Sequence, residues 1–170
     1  MSIEILDANF ESARWYRRVV YLRQSNIWVI WDRIESESPD HVQQQWLADV
    51  GLKVSQLNKR ALELRDHNAR LRMQWLGDRP SLDLVIGDNS SESKRGLIGV
   101  RWKTMKPASS IHAQFHGAKV ESIVVISNPD EHDLSPEIHD HDPHNSFKLK
   151  LNTTEISLNL EFLNNATNLV

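Results

Sequence analysis

The chain has 170 residues, with 20 Lys or Arg against 23 Asp or Glu and a formal charge of −3. That length suits one domain able to bury its own core. The lack of cysteine excludes disulfides, thiolate metal sites and thiol nucleophiles. An apolar share of 39% is that of a folded globular chain, and the slightly acidic balance argues against a nucleic-acid partner.

Met1 to Asp7 carries acidic groups and no positive start followed by an apolar run, so no secretory leader is expected. No stretch reaches the roughly 20 apolar residues of a membrane span, and no membrane partner is expected. The sequence assigns no compartment. From Arg14 onward period-two alternation dominates, which is the mark of strands with two different faces. Arg14 to Arg23 is rich in β-branched and aromatic residues, Gln24-Ser25-Asn26 reads as a tight turn, and Asn26 to Ile34 follows as a second strand. The two form a predicted hairpin. Pro39 then bars a continuing strand within a polar loop.

His41 to Leu47 places Val42, Gln44 and Trp46 on one face, and Leu52, Val54 and Gln56 alternate with Lys53 and Ser55. Ala61 to Leu76 holds good helix formers. However, Asp66-His67-Asn68 falls where a hairpin turn would, so two strands are expected around it. Leu82, Leu84 and Ile86 precede the turn signal Gly87-Asp88-Asn89-Ser90. Strands are expected at Ile98 to Trp102 and at Ile111 to Phe115. Val120 to Ile126 is almost continuously apolar and belongs in the middle of a sheet. Phe147 to Leu151 and Ile156 to Phe162 form a last hairpin. About eleven short strands point to an all-β fold, an antiparallel β-sandwich, with residues 1–170 as a single domain.

Residues 130–145 read as a long polar loop punctuated by Pro136 and Pro143. His139, His141 and His144 in that loop are the weak candidates for metal ligands, because imidazoles beside carboxylates suit such ions. A solvated connection explains the same composition, and no cofactor is assigned. No Gly-rich phosphate loop, paired-histidine helix motif or nucleophile elbow occurs, and no catalytic residue is named. Trp28 and Trp31 fall on opposite faces of one strand, so that strand needs cover on both sides. Trp28 shares its face with Ile30 and Ile34 and is the expected core member. Either indole is a candidate for stacking on sugar. Arg17 and Arg33 are candidates for binding acidic groups, since a guanidinium takes a carboxylate in bidentate fashion. Exposed strand charges also discourage edge aggregation, which accounts for the same arginines.

The run Arg17-Arg18-Val19-Val20, followed by Trp28-Val29-Ile30-Trp31-Asp32-Arg33, resembles a hairpin of the heparinase II/III-like polysaccharide lyases. His41, Val42 and Gln45 resemble the next strand of that family. Gly96-Leu97-Ile98-Gly99-Val100, Lys106-Pro107-Ala108 and Val124 to Pro129 resemble later ones. The resemblance implies a C-terminal β-sandwich that supports a helical toroid domain, in enzymes that cleave uronic-acid polysaccharides by β-elimination. It therefore implies a toroid and an acidic polysaccharide as partners. The family's His-x-Asp segment has no counterpart, for residues 1–13 contain no histidine, and Leu47 stands where many members carry a histidine. No catalytic or metal residue is carried over. The expected function is that of a non-catalytic sandwich domain; the alternative is a free-standing carbohydrate-binding module. A small metal-dependent enzyme centred on the His139 segment ranks below both.

Overall fold

A computed structural model describes residues 2–10, 13–37, 41–78, 80–86, 97–101, 104–130, 137–142, 146–151 and 154–159. Among them there is no helix, and hence none long and apolar enough to cross a membrane. Every strand pairing is antiparallel. The chain divides into two compact units, Met1–Glu131 and His132–Val170.

Among the described residues the first unit holds twelve strands, β1 (Ser2–Phe10), β2 (Ala13–Leu22), β3 (Ile27–Ser36), β4 (His41–Leu47), β5 (Lys53–Asn58), β6 (Ala61–Arg65), β7 (Arg70–Gly77), β8 (Ser81–Ile86), β9 (Leu97–Arg101), β10 (Thr104–Pro107), β11 (Ser109–His116) and β12 (Lys119–Ser127). Seven make one sheet in the order β1-β2-β3-β12-β7-β6-β5, three make a second in the order β4-β11-β8, and β9 pairs with β10. The second unit is a three-stranded sheet of β13 (Glu137–Asp142), β14 (Ser146–Leu151) and β15 (Thr154–Asn159). Strand β13 lies inside residues 130–145, so that segment is not the continuous polar loop the composition suggested. Strand β1 was also not expected.

The alternation accounts for most of this architecture. Strand β12 is the fourth of seven, and Ile123, Val124 and Val125 are all buried, as a strand covered on both faces requires. Ala61 to Gly77 is the expected hairpin rather than a helix. The Asp66 carboxylate accepts the backbone N–H groups of Asn68 and Ala69 at 2.7 Å each, which fixes its turn. The turn before β3 has Asn26 at φ 49°, a left-handed conformation that asparagine tolerates.

In the large sheet Ile30, Val124 and Trp75 lie in one register row across β3, β12 and β7. Their face packs against Ile111, Ala113 and Phe115 of β11 to form the core between the two sheets. The next row, Trp31, Ile123 and Leu76, is on the opposite face and is buried as well. The large sheet is therefore apolar on both sides, as the two tryptophans of β3 foretold. The assignment between them is reversed. Trp31 is 1% exposed and Trp28 is 40% exposed. Trp28 does share a face with Ile30, but it sits at the turn end of β3, opposite Tyr21, whereas Trp31 lies mid-strand. Ile27, nearer still to the turn, is 0% exposed, so the face of Val29 and Trp31 is covered out to the turn and the Trp28 face is not.

Candidate functional site

Three groupings of chemically capable side chains stand out in the first unit. The first is a polar knot between the sheets. Arg17 and Asp32 are direct cross-strand partners on β2 and β3. The guanidinium donates from Nε at 2.6 Å and from Nη2 at 2.7 Å to the two carboxylate oxygens. Trp15 Nε1 donates to the same carboxylate at 3.0 Å, and Gln44 Nε2 of β4 supplies a fourth donor. Gln44 Oε1 in turn accepts from Trp75 Nε1 at 3.3 Å and from Ser122 Oγ at 3.0 Å. The guanidinium also stands over the Trp15 and Trp46 rings, 4.6 and 5.6 Å from their centroids.

A carboxylate offers about four lone-pair directions. Four donors occupy those of Asp32, which is itself 1% exposed, and none is left for a substrate or a cation. The knot pins one sheet to the other. Sequence reasoning placed Arg17 at a binding surface; in the structure it is the half-buried counter-ion of Asp32. Arg33 is likewise engaged, beside Glu35 on its own strand.

The second grouping lies on the outer face of the small sheet. Ser110 and His112 of β11 are buried, and the Ser110 Oγ is 2.9 Å from His112 Nε2. The Gln43 side-chain amide meets His112 Nδ1. Ser110 Oγ also accepts from Gln45 Nε2 at 3.1 Å. The serine and both ring nitrogens of His112 are thus engaged within one hydrogen-bonded chain. Spacing alone could not have found it, because Gln43 and Gln45 reach it from β4.

The third is exposed. Tyr21 and Trp28 face each other across the hairpin and stack with centroids 4.4 Å apart, and the Tyr21 hydroxyl donates to Asn26 Oδ1 at 3.0 Å. Together they offer an aromatic surface beside polar turn residues, the kind of surface on which sugar C–H groups stack. Of the two tryptophans proposed for sugar contact, only Trp28 is accessible. Trp31 is corrected to a core residue by its burial. Among the described residues no three His, Asp or Glu side chains come together to hold a metal ion. The side chains of His139, His141 and His144 lie outside the described residues.

No family model matches the chain, and no curated protein matches it either. Solved structures do match. The heparan sulfate lyase HepC from Pedobacter heparinus aligns with a TM-score of 0.64 at 11% identity, over 93% of this chain and 27% of that one. A heparinase III gene product aligns with a TM-score of 0.63, at the same identity and coverage. The chain thus has the fold of part of a heparinase III structure and spans only 27% of the length of the proteins it matches.

Proposed function

We propose that this chain is a β-sandwich domain that works beside a helical toroid domain of a heparinase-like lyase, supporting it and forming one wall of a cleft for an acidic polysaccharide. The observation that carries this reading is the alignment of 93% of the chain with a 27% portion of heparan sulfate lyase structures. In this role the domain is non-catalytic. The polar side chains held between and upon its sheets are committed to one another: Asp32 to four donors, and His112 through both ring nitrogens. The test is an elimination assay with the isolated chain on heparan sulfate and other uronic-acid polysaccharides, followed by absorbance of unsaturated uronate ends. No product is expected. Turnover that a single substitution in this chain abolishes overturns the reading.

A second reading, a free-standing carbohydrate-binding module, is favoured by the exposed Tyr21–Trp28 stack. It requires that the chain alone bind a glycan and that Trp28→Ala abolish binding while the fold is retained.

A further inference from the structure

The end of the large sheet at β5 and β6 carries an arrangement of charge that strand pairing alone does not favour. Lys53 of β5 and Arg65 of β6 are direct cross-strand partners on one face. Such partners lie about 5 Å apart at Cβ, and like charges there are destabilising. Arg70 of β7 is in turn opposite Arg65, which makes a row of three cations across three strands. Acids meet the row at its Arg70 end, and the Glu63 carboxylate is also felt by Arg65. Arg70 donates to Glu63 and to Asp130 at 2.7 Å each. Among the described residues neither Lys53 nor Arg65 forms an ion pair.

Lys53 and Arg65 line an open depression together with Gly51, Asp66 and His67. The one carboxylate in its lining, Asp66, turns an oxygen to the Asn68 and Ala69 N–H groups. The carboxylate keeps its charge, so the lining carries two cations against one anion, before any charge on His67. Gly51 is in the turn before β5 at φ +93°, a conformation that favours glycine. A lysine on an edge strand also deters pairing with another sheet, but that role does not call for the facing arginine.

We infer that the depression formed by Lys53, Arg65 and His67 is an anion-binding site that receives a sulfate or carboxylate group of an acidic glycan. A doubly bonded anion between the two cations removes the like-charge opposition, and a guanidinium presents the fork that sulfate and carboxylate both fit. A nucleic acid is disfavoured, because the cationic row is short and the whole chain is acidic at −3. The pocket stands on its own geometry; that its anion is carried on a glycan rests on the function proposed above.

The experiment is a titration of the full chain, followed by backbone amide resonances, with sodium sulfate against sodium chloride at matched ionic strength. Heparan sulfate oligosaccharides and their desulfated counterparts are titrated in parallel. Sulfate is expected to move the Lys53, Arg65 and His67 signals where chloride does not. The Lys53→Gln plus Arg65→Gln variant, with its melting profile checked, is expected to bind the oligosaccharide about tenfold or more weakly, since two charge-assisted bonds are lost. If desulfation reproduces that loss the group recognised is sulfate; if it does not, the group is carboxylate. A folded double variant that binds both probes as the parent does overturns the pocket and leaves the proposed function standing. Sulfate binding at these residues without any glycan binding upholds the pocket and removes the glycan reading.

Discussion

Arg17 and Arg65 occupy matching places in one sheet under opposite electrostatic conditions. Each has a charged residue directly across the ladder: Asp32 for Arg17, Lys53 for Arg65. The first pair lies against the core, where an unmatched charge is too costly to keep, and it has gathered Trp15 and Gln44 as further donors. The second lies at the exposed edge strand, where water and salt screen the repulsion. Burial dictates complementarity in one row, and exposure leaves the other open to an external ligand. A family-like hairpin motif draws attention to the first row, where Asp32 is enclosed and Arg17 half-buried, whereas both cations of the second are exposed.

The sharpest way to break this contrast is to remove the acid from the core row. Asp32→Ala leaves the half-buried Arg17 guanidinium, Trp15 Nε1 and the Gln44 amide without their common acceptor. It is expected to cost about 3–5 kcal/mol in a denaturant melt. Arg65→Ala, a change at an exposed position, should stay within about 0.5 kcal/mol. Equal losses from the two would mean that burial does not separate the rows.

The same distinction explains what the sequence could and could not disclose. Alternation placed β2 to β8 and β12 because each residue's face follows from its neighbours. The apolar run 120–126 announced a central strand because only such a position covers both faces. The order of strands was not legible in this way, nor was the pairing of Lys53 with Arg65, which depends on the register of β5 against β6 and its irregularity at Gln56. The reach of Gln44 to Asp32 joins two sheets and leaves no local trace. Trp28 and Trp31 show the limit most directly, since their lying on opposite faces was readable and which face is covered at the turn end was not. Trp31→Ala is expected to cost about 3–5 kcal/mol through lost burial and the cavity left behind. Trp28→Ala should cost under about 1 kcal/mol, with its effect falling on sugar binding. Denaturant melts of both variants check the pair.

Acid should loosen the β6–β7 hairpin before the core. The Arg70 guanidinium holds the Glu63 carboxyl below its usual value, and the Asn68 and Ala69 N–H groups hold Asp66 below its own. Groups so depressed stabilise the fold above their ordinary values, near pH 4, and lose that contribution as pH falls through the lowered ones. Amide exchange at Asn68 and Ala69 should therefore accelerate below about pH 4 relative to β12 amides. In Asp66→Ala that acid response should vanish, because exchange there is fast at every pH. A uniform acceleration across the sheet would show that the turn is not an independent acid-sensitive element.

The smallest expected effect sharpens the contrast from the other side. Lys53→Glu places an acid opposite Arg65 and so gives the edge row the charge pattern of the core row. The gain should be modest, about 0.2–1 kcal/mol, because the pair is exposed. It should also fade between low salt and about 1 M salt, where the screening length falls to about 3 Å. The Arg17–Asp32 pair, largely shielded from ions, should show no comparable salt dependence. Melts of the parent and of Lys53→Glu at two salt concentrations measure the difference. A gain that persists in high salt would mean that Lys53 and Arg65 do not repel one another through solvent. The cationic row would then lack the unspent repulsion that an arriving anion relieves.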